Sequence, residues 1–421
     1  MVALSLASFS ALGQQPPGAL TLEECIRRAL QSPSALSAAR RQIEIAALGA
    51  ARARASRLPV ARANLGFNYT SPAAGAPGQP SHVAANGTHE YVGLLVGDWE
   101  IDTSGRLRGG LKRARADQDA AAASVIIAER DLRRLVTGAY YRVLLARRLA
   151  SVSRDSLLEA RAFETRTRQL FEGGEAARAD IAKAAAQSAF LEQSVSNADL
   201  DAEVANHELA SFWTADVAAP LPLVDVLDEP VPAPWDAFAK APADSFLQRP
   251  EFTLLEAQRR GFLADAQIAR ADRRPQTSVT FQYGLDAPRV NFAERGYAAM
   301  FNVNVPLFDW SKAKNAARQF ELQAEGVDDT RSKNQREFSK EYQDALTRIR
   351  LGEQQIAIAR SQVALSLEDL RLSRVRYEGG EGPAIEVVTA QSQLAQARGN
   401  LYAALARYHE SLADLAVASG K

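Results

Sequence analysis

The sequence predicts a mainly α-helical chain that also supplies four β-strands to a membrane barrel, the whole laid out as an internal twofold repeat. Three observations carry this prediction. Phe171-Glu172-Gly173-Gly174-Glu175 returns as Tyr377-Glu378-Gly379-Gly380-Glu381, each copy set between long, charged, glycine-poor stretches with helical patterning. Four short stretches alternate apolar and polar residues at the period of a strand. No uninterrupted apolar run approaches the roughly 18 residues that a membrane helix needs, so entry into a bilayer is left to strands.

Composition narrows the classes further. The chain has 421 residues, with Lys plus Arg and Asp plus Glu each at 50, so the formal net charge is zero. Nucleic-acid binders need a basic stripe to neutralise phosphates, and this balance argues against one. The single cysteine, Cys25, rules out an internal disulfide and is expected as a small buried apolar residue. Residues 1–13 are expected to be the remnant of a signal peptide: Val2 to Leu12 are small and apolar, and Ala11-Leu12-Gly13 fits the cleavage rule before Gln14. The basic n-region is missing, which favours a start codon assigned late. No cysteine stands at that junction to carry an N-terminal lipid.

The first repeat is placed at 14–214. Thr21 caps a short helix to Leu30 with acids in its first turn, and a second helix follows from Pro33 to about Arg57. Leu36, Ile43, Ala46, Ala47 and Ala50 form its apolar stripe. Leu58-Pro59 ends it. Strands are predicted at about 60–70, where Ala61, Ala63, Leu65, Phe67 and Tyr69 share a face, and at about 90–101, where Tyr91, Leu95 and Trp99 do. Between them, Ser71 to His89 is a loop rich in Pro, Gly, Ala and Ser. Asp102 to Arg108 then turns the strand into a helix unbroken until Gly173. The second repeat, 249–421, keeps the order: a helix from Pro250 to about Arg274, strands at about 276–285 and 297–308, and a long helix from Ser311 to Tyr377. The segment 215–248 carries Pro220, Pro222, Pro230, Pro232, Pro234 and Pro242, and is expected as an equatorial linker around the outside of the body.

Each glycine pair is the tip of a helical hairpin, at 171–175 and 377–383, the two adjacent glycines supplying the positive dihedrals that reverse the chain. The helix 105–172 would be about 100 Å long at about 1.5 Å per residue. Two shorter helices stacked end to end match each long one. Helices of this length need lateral neighbours, and the strands make the same demand. Four strands cannot close a barrel, and open edges are forbidden in hydrocarbon, so several copies must contribute. Four strands from each of three copies would make twelve, the polar faces lining a wet lumen.

The order of elements, the junction Trp99-Glu100-Ile101-Asp102 to Gly105-Arg106-Leu107-Arg108, its counterpart Pro306-Leu307-Phe308-Asp309-Trp310, and the Tyr377-Glu378-Gly379-Gly380 tip followed by Ile385-Glu386-Val387-Val388-Thr389-Ala390-Gln391 resemble the outer membrane efflux protein family, the TolC-like channels. The resemblance covers Leu20 to about Gly420. It implies a homotrimer with a twelve-stranded barrel in the outer membrane of a Gram-negative bacterium and an α-helical tunnel through the periplasm. It implies a passive exit duct of a tripartite efflux pump, or of a type I protein secretion system, docked through a periplasmic adaptor (membrane fusion) protein to an inner-membrane transporter. Its remaining partner is outer-membrane lipid. The resemblance also places a constriction at Glu386, with Asp180 as its counterpart in the first repeat. Thr389 stands where well-locked members have a second acid, and Gly382 where they have an arginine. Three copies of Glu386 would form an acidic ring favouring cations; the helix dipole alone also accounts for first-turn acids at 180 and 386. The tip residues Phe171, Gly173, Gly174, Tyr377, Gly379, Gly380 and Gly382 are the expected adaptor-docking surface, although Phe171 and Tyr377 would also serve to pack across the hairpin.

No other chemistry is indicated. His82, His89, His207 and His409 fall at unrelated positions, and no carboxylate or cysteine spacing completes a metal site. Neither a phosphate loop nor a nucleophile elbow is present. The expectation is therefore a protein without cofactor and without enzymatic activity. A soluble periplasmic coiled-coil scaffold is the rival, and the strands oppose it: a scaffold has no use for Val279, Phe281, Tyr283 and Leu285 on one face with Ser278, Thr280 and Gln282 on the other.

Overall fold

The computed structural model describes residues 18–70, 89–231, 235–238 and 242–420. The expected signal remnant, His82 and the loop 71–88, and the linker prolines Pro232 and Pro234 lie outside them. The helices are α1 (Leu22–Gln31), α2 (Ala35–Ala55), α3 (Arg106–Glu172), α4 (Arg178–Ala210), α5 (Pro250–Ala271), α6 (Lys312–Glu378) and α7 (Ala384–Ala418). The strands are β1 (Val60–Tyr69), β2 (His89–Ile101), β3 (Gln276–Ala287) and β4 (Gly296–Asn304). Both long helices, α3 and α6, are 67 residues. The described chain divides into two compact units, each drawn from both halves of the sequence: Met1–Ala38 with Ile126–Arg249 and Gln335–Lys421, and Ala39–Val125 with Pro250–Asn334.

The second unit holds the sheet, four antiparallel strands in the order β1-β2-β3-β4. Its register sets Ala63 opposite Leu95, Leu95 opposite Tyr283, and Tyr283 opposite Tyr297. Alternation then puts Leu65, Phe67, Trp99, Phe281 and Phe301 on that same face, and Arg62, Asn64, Asp98, Thr280 and Gln282 on the other. β4 is shorter than the sequence suggests. It stops at Asn304, paired with Gln276, because the next partner along β3 is Pro275, which has no N–H to offer, and Pro306 follows with the same defect. β3 in turn runs on to Ala287, paired with Tyr91.

Two aspartates turn strand into helix. At the first junction Asp102 accepts from the N–H groups of Leu107 at 3.1 Å and Arg108 at 2.9 Å. At the second, Asp309 accepts from Ser311 at 3.0 Å and Ala313 at 3.1 Å. The first junction reverses through Gly105, φ 86°, whereas the second forces Trp310 and Ser311 to φ 52° and 61°. Non-glycine residues there are strained, and the aspartate cap holds them. On α2, Leu36, Ala46 and Ala50 are buried, but Ile43 and Ala47 of the expected stripe are exposed. Period marks an apolar stripe without saying what covers it.

In the first unit, Thr21 caps α1 by accepting from Glu24 N–H at 3.2 Å. Cys25 is fully buried, and burial pushes its thiol up to about 11. The proline-rich linker does more than pass around the outside. Leu20 forms a parallel bridge with Leu223, donating its N–H to Pro222 C=O at 2.5 Å and accepting from Val224 N–H at 3.0 Å, and Asn206 of α4 donates to Ala219 C=O at 3.0 Å while accepting from Leu221 N–H at 3.0 Å. Tyr140 donates to Val224 C=O, and Leu227 is 1% exposed. Beyond that single bridge, the segment's polar backbone groups are met by side chains. His409, on α7, stacks on Tyr141 with ring centroids 4.5 Å apart, and burial lowers its pKa.

Candidate functional site: hairpin tips and sheet faces

Both tips close by the same hydrogen bonds. At the first, Glu175 N–H donates to Leu170 C=O at 2.8 Å and Gly174 N–H to Phe171 C=O at 3.0 Å; at the second, Glu381 donates to Arg376 at 2.8 Å and Gly380 to Tyr377 at 3.1 Å. This paired pattern is the Schellman motif, which needs a left-handed residue at one position alone. Gly174 (φ 80°) and Gly380 (φ 73°) supply it. The expectation of two positive glycines per tip is corrected: Gly173 and Gly379, just past the helix ends, have no positive φ and donate to Gln169 and Val375 at 3.0 Å each.

Behind the turns lies an apolar core drawn from both hairpins: Phe163, Leu170, Ala184, Leu370, Tyr377, Ala384, Val387, Ala390 and Leu394. Tyr377 belongs to it. Its hydroxyl is 3.3 Å from Thr167 Oγ1, and its ring lies 5.1 Å from Phe163, both on α3. It is therefore not presented at the protomer surface as a docking residue; it shares a core with Ala384 and Val387 of its own hairpin and also reaches α3 of the other. Phe171 at the equivalent position is 41% exposed. The same helix wheel thus turns one aromatic inward and the other outward.

The acids differ as well. Asp180, in the first turn of α4, has Lys183 Nζ at 3.8 Å on its own helix. Glu386, in the first turn of α7, is held across the turn by Arg376, Nη1 to Oε2 at 2.8 Å. Thr389 is exposed on the next turn of the same helix. Sequence reasoning missed Arg376. The signal was available, since the first repeat has Leu170 where the second has arginine.

In the sheet unit, aromatic residues gather toward both ends of the apolar face. Phe67 and Tyr91 are 5.0 Å apart near the loop end, while Trp99, near the helical end, donates its indole N–H to Arg57 C=O at 3.1 Å. Such girdles flank the lipid-facing band of membrane barrels. The opposite face is polar and bonded to itself: Arg62 meets Asp98 at 2.8 Å, Thr280 donates to Asp98 at 2.8 Å, and Asn68 donates to Glu90 at 2.9 Å. Every residue of β1 and β4, the two edge strands, is exposed. Among the described residues no helix is long and apolar enough to cross a membrane, and no cluster of His, Cys, Asp or Glu could hold a metal ion.

An amphipathic sheet joined to helical hairpins of this length defines an outer-membrane channel of the helical-barrel class. The chain belongs to the outer membrane efflux protein family, whose sequence signature matches residues 25–214 and 242–421. Its members are passive channels of the outer membrane and not enzymes. Among solved structures, the CmeC outer membrane channel of Campylobacter jejuni is similar at a TM-score of 0.82 with 16% identity, over 95% of this chain and 85% of that one. The open state of the MtrE outer membrane channel of Neisseria gonorrhoeae superposes at a TM-score of 0.78 with 22% identity, over 95% and 88%. VceC of Vibrio cholerae gives 0.81 with 16% identity, over 95% and 96%. Nodulation protein T of Rhizobium leguminosarum bv. viciae is 22% identical over 312 residues, 73% of this chain and 64% of that relative, so the chain spans less than two thirds of its length.

Proposed function

We propose that three copies of this chain form the outer-membrane exit duct of a tripartite efflux pump, a passive tunnel opened at its periplasmic tip by an adaptor protein and an inner-membrane transporter. The observation that carries the reading is the sheet. It has an apolar, aromatic-ended face, a polar face, and two exposed edge strands, and an edge in hydrocarbon leaves backbone groups that no water can satisfy. Copies of the same chain remove both edges by pairing β1 of one with β4 of the next. In this reading Glu386 lines the constriction at the second tip, Asp180 is its weaker counterpart at the first, and Thr389 faces the same passage one turn on. The adaptor docks on the turns, where Phe171 offers an exposed aromatic surface and Gly173, Gly174, Gly379, Gly380 and Gly382 keep the backbone open to close approach.

Reconstitution in planar bilayers tests the proposal. The purified protein is expected to form ion channels, and Glu386→Ala to raise conductance or weaken cation preference. Unchanged conductance and selectivity would leave Glu386 as a first-turn acid favoured by the helix dipole and nothing more. Recovery of folded protein without detergent would contradict the duct itself.

A further inference from the structure

The two tips share a turn but not a charge arrangement, and the duplication supplies an internal control. Counting along both, Arg376 stands where the first tip has Leu170, Gly382 where it has Ala176, and Glu386 where it has Asp180. Leu170 is buried in the tip core. Arg376 instead reaches over the turn, its Nη1 2.8 Å from Glu386 Oε2 and its Nη2 3.5 Å from Glu381 C=O. A Cβ at position 382 would stand 3.1 Å from that same carboxylate oxygen and 3.4 Å from Arg376 Cβ. Glycine there leaves the path between the two charges open. Among the described residues Asp180 has no such partner across its turn, and its ion pair is with Lys183 on its own helix at 3.8 Å. Since the first tip makes the same Schellman turn with leucine, the turn does not require the ion pair. Nor does stability, because the side chains are 52% and 36% exposed and exposed pairs contribute little. What the pair changes is the field: a guanidinium in contact with a carboxylate cancels most of its charge beyond a few ångströms.

We infer that Arg376 sets the ion selectivity of the second tip, neutralising Glu386 within the same chain through the gap that Gly382 leaves. The inference rests on the reading of Glu386 as a constriction residue. On this basis the closed trimer carries three compensated pairs at the tip rather than a bare acidic ring, and its preference for cations is weak until the pair is separated.

Reversal potentials across a KCl gradient, measured on reconstituted channels, test it. Arg376→Gln is expected to raise the potassium-to-chloride permeability ratio at least threefold, Arg376→Lys to stay within twofold of wild type, and Gly382→Ala to shift the ratio in the same direction as Arg376→Gln by less. Glu386→Gln should lower the ratio, and the double variant Arg376→Gln/Glu386→Gln should return to within twofold of wild type. If Arg376→Gln changes nothing while Glu386→Gln lowers the ratio, neutralisation by Arg376 is wrong and the constriction reading stands. If Arg376→Gln acts equally with and without Glu386, the arginine works through another group and the inference also fails. If neither single variant moves the ratio, the constriction reading fails and takes the inference with it.

Discussion

At the scale of the residue, the tips separate glycines that are required from glycines that are tolerated. Gly174 and Gly380 occupy the left-handed region with nothing within 4 Å of a built Cβ, so an alanine there meets no neighbour and suffers only from its backbone. Gly174→Ala or Gly380→Ala is expected to cost about 1–2 kcal/mol, whereas Gly173→Ala, at a position without a positive φ, should stay within about 0.5 kcal/mol of wild type. Thermal unfolding of the detergent-solubilised protein distinguishes these. The aromatic pair divides in the same way. Tyr377→Ala removes a ring buried to 7% exposure and should cost about 3–5 kcal/mol, while Phe171→Ala should change stability by about 0.5 kcal/mol or less. The glycine pairs were plain in the sequence, but which glycine turns left-handed was not. That depends on where the last helical carbonyl falls, a matter of one residue. The inward and outward aromatics were equally hidden, because they depend on the neighbouring hairpin and not on the local turn.

At the scale of the element, the strand-to-helix junctions show what a pattern encodes and what it leaves to pairing. Asp102 was visible as part of a turn, and the two backbone N–H groups that donate to its carboxylate make it a cap. Burial pulls the Asp102 carboxyl upward, yet the N–H groups of Arg108 and Leu107 and the Arg108 guanidinium outweigh that and hold it below its ordinary value. A carboxylate with a lowered folded value stabilises above its unfolded pKa of about 3.9 and loses that contribution as pH falls through the folded value. Asp102→Ala should therefore destabilise by about 1 kcal/mol at neutral pH. Melting curves taken downward from pH 5 should then show wild type and variant converging, and a constant gap down to pH 2 would contradict the cap. The end of β4 could not be read the same way. Val303, Val305 and Leu307 keep the alternation, but a strand lasts only while its neighbour has groups to pair, and β3 begins after Pro275. The linker is the converse case. Its described residues hold no α-helix or ladder strand, only short 3-10 helices at Trp235–Ala237 and Ser245–Gln248, while the bridge to Leu20 and the burial of Leu227 arise from long-range partners.

At the scale of the whole molecule, the order of elements and the two-faced character of the strands were legible, because a strand with one apolar face states its own environment. The compact units were not. The sequence repeats by halves, yet each unit takes segments from both halves, and α3 and α6 each contribute to the two of them. Repetition along the chain records how the elements are ordered and leaves their grouping to packing. What the single chain leaves unsatisfied is the pair of edges, β1 and β4, exposed along their entire lengths. In the proposed duct these edges are closed by other copies of the chain. Cysteine cross-linking in outer membranes measures this directly: in a Cys25→Ser background, single cysteines placed along Leu65–Tyr69 are paired with others along Tyr297–Phe301 and oxidised. For the pairs in register, a ladder of one, two and three linked chains that ends at three is expected. Chains that remain single at every pairing, or a ladder that continues past three, would contradict it.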